Sequence, residues 1–218
     1  IQILRLENIA VDRHVARVTA FKFRRFCGGW LFLSRFRGAA GSIVGPFGSF
    51  QTVPHDSDLK EMHDYAWRLI SRGIVDKKSP ARHPTFGTNG LLGMPELRTV
   101  VLRHADQKAA NLEVHTDVES KKVEELKLNP NVGIHIWFPT NKLQVRIKAI
   151  SEIKTGSGVT EQWEKVPTGS RVSYGTFPTP GTVIQTPFAY EKPAEFERFC
   201  VIKINIEEID LTHLGTRH

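Results

Sequence analysis

Two alternating runs constrain this chain more than anything else in it. Val132, Ile134, Ile136 and Phe138 alternate with Gly133, His135 and Trp137, and Leu143, Val145, Ile147 and Ala149 alternate with Gln144, Arg146 and Lys148. A period of two sends successive side chains to opposite faces, so each run is a strand with one buried face. The connection, Pro139-Thr140-Asn141-Lys142, is of hairpin length and makes the pair antiparallel.

The chemistry lies upstream, in Arg98 to Lys122, RTVVLRHADQKAANLEVHTDVESKK. Thr99-Val100-Val101-Leu102 is a β-branched run set between Arg98 and Arg103. A polar turn with Asp106 and Gln107 leads to a second strand, Leu112-Glu113-Val114-His115-Thr116. Asp117 and Ser120 are candidate N-caps for a helix that begins with Lys121 and Lys122 and stops at Asn129-Pro130. Two strands and a helix start would thus gather Arg98, Thr116, Ser120, Lys121 and Lys122. Free backbone N–H groups, a positive dipole end, cations and hydroxyls together make an anion site. Each charge-assisted hydrogen bond to a phosphate contributes roughly 1.5–3 kcal/mol. The residues alone leave a second reading equally open, in which the lysines form a solvated helix face.

R-T-V-V-L-R, then H-T-D-x-x-S-K-K, then L-Q-V-R-I at 143–147 follow one another in an order and spacing that resembles the pyridoxamine-5'-phosphate-oxidase-like family of FMN-binding split barrels. The resemblance runs from about Leu59 to His218. It implies a mostly β domain over 58–218, an antiparallel Greek-key split barrel of six or so strands with flanking helices. It also implies a homodimer with FMN at the subunit interface. The FMN phosphate would lie on Arg98, Thr116, Ser120, Lys121 and Lys122. Thr99, Val100, Val101 and His115 would be further cofactor contacts. Gln144 matches the family's flavin-contacting glutamine, whose amide both donates and accepts. The redox chemistry would belong to the flavin, so no catalytic residue is named.

The same resemblance weakens at the substrate. The family's oxidases hold a substrate phosphate with Tyr, Arg and Ser, and the corresponding positions here are Gln162, Val166 and Ser170. Only the serine is retained. Arg171 is its neighbour, and Arg103 and Arg217 complete the candidate substrate contacts. The implied function is an FMN-dependent oxidoreductase acting on a small molecule, related to but distinct from an efficient pyridoxamine-phosphate oxidase. Two alternatives stand beside it: a non-catalytic flavin-carrying dimer, and a true oxidase whose phosphate clamp has shifted to Arg171.

The net charge of +7 suggests nucleic acid until it is localised. Residues 1–50 hold eight Lys/Arg against two Asp/Glu, whereas residues 51–218 hold 22 against 21. The basicity therefore belongs to an N-terminal segment, taken here as 1–57, and says little about the domain. Three readings of that segment compete: a targeting presequence, a basic aromatic arm for RNA or lipid, and a poorly structured extension, the last being preferred. Cys27 and Cys200 give neither a disulfide framework nor metal-ligand spacing, and they read as reduced thiols of a cytoplasmic protein. There is no H-E-x-x-H, Walker A, G-x-S-x-G or G-x-G-x-x-G pattern, and no apolar run of membrane-spanning length.

Before the strands, Leu59, Met62, Ala66, Leu69 and Ile70 share a helical face that Gly73 would end. Thr85 to Thr88 reads as the first strand, with its turn at Asn89-Gly90. A short helix follows Thr160, and Phe199 to Ile206 is the last strand.

Overall fold

The computed structural model describes the backbone of Gln2–Arg5 and residues 59–214. Apart from that one strand, the readings of the basic N-terminal segment, and of Arg217, lie outside the described residues. Helix α1, Leu59–Val75, buries Met62, Tyr65, Ala66, Trp67 and Ile70 as its periodicity requires. It runs two residues past Gly73. Gly73 is needed for a close approach instead, since a Cβ there would stand 2.7 Å from the Ala81 carbonyl carbon.

The sheet contains β1 (Gln2–Arg5), β2 (Thr85–Asn89), β3 (Pro95–Thr99), β4 (Leu102–Asp106), β5 (Asn111–Asp117), β6 (Asn131–Phe138), β7 (Leu143–Lys154) and β8 (Phe199–His213). All pairings are antiparallel, in the order β3-β2-β6-β7-β8-β5-β4, with β1 beside the C-terminal part of β8. The expected strand through Thr99–Leu102 is in fact a corner. Val100 and Val101 separate β3 from β4, and these two strands are the opposite ends of the sheet. Three residue steps span at most about 11 Å, so the sheet must curl until its two edges come close. No ladder joins β3 to β4, and the sheet stays open there.

The β6–β7 hairpin has the register its alternation demands, with Ile134 opposite Ile147 and Ile136 opposite Val145. Strand β8 extends seven residues beyond the expected end at Ile206. A register shift sets Lys148 opposite Glu208 but Ala149 opposite Ile206. The extra residue, Glu207, breaks the alternation that sequence reading relies on. Inside the curl, Phe86, Leu112, Val114, Leu143, Ile147, Cys200 and Ile202 form the main core with α1. A smaller cluster, Val159, Val166, Tyr174, Phe199 and Val201, covers the other face of β8 and carries the short helices α3, Thr160–Lys165, and α4, Thr168–Arg171. Helix α2, Lys121–Leu128, has the expected bounds and buries Val123, Glu125 and Leu126.

Candidate functional site

Strand β5 ends at Asp117, and the chain turns through Val118 and Glu119 into the first turn of α2. Asp117 fixes this turn. Its Oδ1 accepts the Glu119 N–H at 2.9 Å and both Nε and Nη2 of Arg198, at 3.0 and 2.9 Å. Its Oδ2 accepts the Gly175 N–H at 2.8 Å. Ser120 is the N-cap of α2, yet its hydroxyl makes no capping bond and lies 3.1 Å from the Thr116 hydroxyl. Lys122 donates to Thr116 Oγ1 at 3.0 Å. Burial, then the nearby Arg98 charge, lowers the Lys122 pKa. A half-buried ammonium, two hydroxyls and the free N–H groups of a helix start thus converge where a phosphate dianion would compensate the buried charge. The residues fit an FMN phosphate on that ground.

Arg98 and Lys121 are less free. Arg98 donates to Glu125 Oε2 at 2.7 Å, to the Thr88 hydroxyl and to the Glu96 carbonyl at 3.1 Å. It therefore fastens β3 to the buried side of α2, beside the hydroxyl cluster. Lys121 is exposed, 3.7 Å from Glu96. Neither Glu125 nor Thr88 was singled out from sequence. The signal was a carboxylate on the buried stripe of α2, between Val123 and Leu126.

The register separates the remaining cofactor candidates. Arg98 lies opposite Phe86, which lies opposite Ile134 and so Ile147, all on the inner face. Gln144 lies opposite Trp137 and Thr212, on the outer face, with Oε1 3.3 Å from His135 Nε2. One chain therefore leaves Gln144 on the opposite side of the sheet from Arg98. His115 alternates with Thr116, and its ring packs edge-on against Phe199 at 5.0 Å, away from the hydroxyl cluster. Val100 and Val101 occupy the corner, where the Val100 N–H donates to the Pro84 carbonyl at 3.1 Å. Thr99 is exposed at the end of β3.

A cleft of about 460 Å³ opens on the His115 side of β4 and β5, lined among others by Arg82, Arg103, His115, Gln162, Val166 and Pro167. Sequence reasoning placed Arg103, Gln162 and Val166 at the substrate, and the fold does bring them together. Ser170 and Arg171 sit on α4 and are not among the lining residues. Arg171 donates to the carbonyls of Val166, Trp163 and Glu164 at 3.1, 3.2 and 3.3 Å and stacks on the Trp163 ring. Inside the cleft, Arg103 Nε and His115 Nδ1 are buried with no hydrogen-bond partner. Burial, then the Arg103 charge, pulls the His115 pKa down to about 4. Burial also pushes the Tyr174 hydroxyl up, partly offset by its hydrogen bond with Arg103.

Among the described residues no cluster of His, Cys, Asp and Glu is arranged to hold a metal. Nor is any of their helices long and apolar enough to cross a membrane.

Much of the described chain is similar to known proteins. Residues 64–154 match the family model described as pyridoxamine 5'-phosphate oxidase, FMN-binding domain. A pyridoxine/pyridoxamine 5'-phosphate oxidase 2 of Arabidopsis thaliana is 25% identical over 171 residues, 71% of this chain and 86% of the relative. A pyridoxine/pyridoxamine 5'-phosphate oxidase of Thermosynechococcus vestitus is 29% identical over 117 residues, 53% of this chain and 54% of the relative. Among solved structures, a pyridoxamine 5'-phosphate oxidase-related, FMN-binding protein of Nostoc punctiforme superposes with a TM-score of 0.57 at 20% identity, covering 69% of this chain and 83% of that one. The cofactor of the matched domain is FMN.

Proposed function

We propose that this chain, whose residues 64–154 are a pyridoxamine 5'-phosphate oxidase FMN-binding domain, is an FMN-dependent oxidoreductase that works as a homodimer on a small molecule. The observation that carries the reading is the partly desolvated Lys122 held beside Thr116 and Ser120 at the start of α2. The curled antiparallel sheet, read as a split barrel, sets that helix start at its rim.

Bound there, FMN supplies hydride or electron transfer, and the protein supplies position and electrostatics. Lys122, Thr116, Ser120 and the first N–H groups of α2 hold the phosphate. Arg98, oriented by Glu125, adds positive charge alongside. Gln144 faces away within its own chain, so it reaches flavin only if a second copy brings its outer sheet face against the first. That requirement is our argument for a flavin bound between two subunits. The cleft beside His115 and Arg103 gives a small molecule a way in, which favours an enzyme over an enclosed flavin carrier.

The curated relatives are named as pyridoxine/pyridoxamine 5'-phosphate oxidases, and this chain departs from the Tyr, Arg and Ser pattern of the resembled family where a substrate phosphate would be gripped. Gln162 and Val166 present no charge, and the Arg171 donors are directed to backbone carbonyls. Local chemistry outweighs the relatives' names here, and the substrate is something other than pyridoxine phosphate. The test is the absorbance spectrum of purified protein, with the released cofactor identified by mass and the particle size measured. A dimer carrying FMN is expected. A monomer, or a dimer that takes up riboflavin as tightly as FMN, overturns the reading.

A further inference from the structure

Two buried nitrogens in the cleft lack partners, Arg103 Nε and His115 Nδ1. Unpartnered buried polar atoms are uncommon, and a guanidinium N–H left so is costly unless a ligand meets it. Among the described residues no carboxylate stands within ion-pair distance of Arg103, whose hydrogen-bond partner is Tyr174. Arg82, the nearest other guanidinium of the cleft, already donates to the carbonyls of Ile74 at 2.9 Å and of Gly73 and Leu102 at 3.4 Å. Lys165 is held by Glu161 at 2.5 Å. Among the described residues Arg103 Nε is thus the cleft's one buried guanidinium donor without a partner, and the charged lining, Arg82, Arg103 and Lys165 against Glu113 and Glu161, sums to a single positive charge. His115 is neutral near pH 7, because its pKa is about 4. A neutral imidazole gives one donor or one acceptor at Nδ1 and no charge.

This count selects a ligand. A phosphate ester carries about −1.5 to −2 charge at neutral pH and would leave about half of it unmatched. A carboxylate carries a single charge on two oxygens, which suits one guanidinium N–H and one neighbouring imidazole N–H. Ile74, Val166 and Pro167 give the cleft one apolar side, as against the polar Glu113, Glu161 and Gln162, and about 460 Å³ accommodates a small ring or branched chain.

We infer that the cleft binds a small carboxylate with an apolar body, one oxygen received by Arg103 Nε–H and the other by His115 Nδ1–H. The inference rests on the proposed oxidoreductase reading and names its substrate class. Arg103 sets the charge that is accepted, and His115 sets the geometry.

The experiment titrates benzoate, phenyl phosphate and benzamide into the full chain by calorimetry, in both FMN-loaded and flavin-free form. Benzoate is expected to bind at least tenfold more tightly than the other two. Arg103→Met should weaken benzoate at least tenfold, and His115→Phe, which keeps the packing on Phe199, by about threefold to tenfold. The wild-type ranking needs no variant and stands even if one fails to fold. Phenyl phosphate binding more tightly than benzoate, or benzoate binding that survives Arg103→Met, overturns the inference. Failure of FMN uptake would sink the oxidoreductase reading instead, and the flavin-free titration would still decide this one.

Discussion

Arg98 and Glu125 meet at 2.7 Å across the join between β3 and α2, and the Glu125 side chain is fully buried. Oε1 of the same carboxylate is buried without a partner, so the pair depends on a single oxygen shared with the Thr88 hydroxyl at 2.5 Å. Truncating one member of a buried pair strands the other. Glu125→Ala should therefore cost about 3 kcal/mol in urea unfolding, and Glu125→Gln, which keeps an acceptor, about 1 kcal/mol. Equal losses would mean that packing volume, and not the Arg98 contact, sets the cost.

The phosphate site is read by comparing two flavins that differ only in that group. Lys121→Ala with Lys122→Ala should weaken FMN about tenfold to hundredfold and riboflavin by less than threefold, since each charge-assisted contact contributes roughly 1.5–3 kcal/mol. Most of the loss should come from Lys122, because Lys121 is exposed and shared with Glu96. Fluorescence titration of the apoprotein measures both ligands. A matched loss for FMN and riboflavin would place the phosphate elsewhere.

His115 titrates in a window of its own. Its pKa falls from 6.5 in the unfolded chain to about 4 when folded, so the unfolded state binds the extra proton between those values. Stability due to neutral His115 is complete above pH 6.5, declines as the pH falls, and is gone below about 4. The predicted loss is on the order of 3–4 kcal/mol. Arg103 faces the ring with like charge, and Glu113, Glu161 and His104 line the same cleft. The lowered carboxylates Asp64, Asp76 and Asp106 act below their ordinary value of 3.8, and Glu161, exposed and lowered by Lys165 from 4.5, shares only the foot of this window. His115→Phe should flatten the acid limb of urea-unfolding stability from pH 6.5 to 4. An unchanged limb would show that another group carries it.

Much of this was legible in the sequence, for physical reasons that differ from element to element. The 132–149 hairpin and α2 announced themselves because one face of each is buried and the period shows through. The Thr99–Leu102 run looked like one strand because β-branched residues suit a corner packed on the core as well as they suit a ladder. Nothing local in a sequence says that two adjacent strands will lie at opposite edges of one sheet. The grouping of Lys122 and Ser120 with Thr116 was readable from Ser120-Lys121-Lys122 following it at the helix start. The division of Gln144 from Arg98 by the sheet was not, since it depends on strand pairing across more than forty residues. The Asp117–Arg198 contact, 81 positions apart, was invisible for the same reason.

That contact gives a further prediction. Asp117 receives Arg198 and the Gly175 N–H, and so clasps both ends of the long connection between α4 and β8. Asp117→Ala should cost about 2–3 kcal/mol by removing two of the bonds to Arg198, which keeps Glu119 at 3.1 Å, and should expose the connection to proteolysis. Gly175 has φ of +115° and no room for a Cβ, which would stand 2.5 Å from the Pro193 carbonyl oxygen. Gly175→Ala should therefore open the same segment with Asp117 intact. Limited proteolysis with mass mapping reads both. Cleavage sites unchanged in either variant would mean that other contacts hold the connection down.

The last prediction concerns Arg171, the residue that would have to rescue phosphate recognition. Its Nε and Nη2 donate to three carbonyls at the end of α3, and its guanidinium lies 5.0 Å from the centre of the Trp163 ring. A guanidinium committed in this way acts as a helix C-terminal cap, favoured there by the dipole. Arg171→Ala should lower unfolding free energy by roughly 1–3 kcal/mol, from the lost bonds and stacking. It should leave any slow turnover of pyridoxine phosphate unaltered in KM. Val166→Arg should not create an oxidase, because Val166 is 5% exposed and packs in the cluster with Tyr174 and Phe199. Forcing a charge into that cluster should destabilise the fold before it reaches a substrate. Oxygen consumption with pyridoxine phosphate and pyridoxamine phosphate, paired with melting curves, separates the two roles. Vigorous wild-type turnover that vanishes in Arg171→Ala, with the melting temperature unchanged, would make the cap a phosphate clamp and this chain a true oxidase.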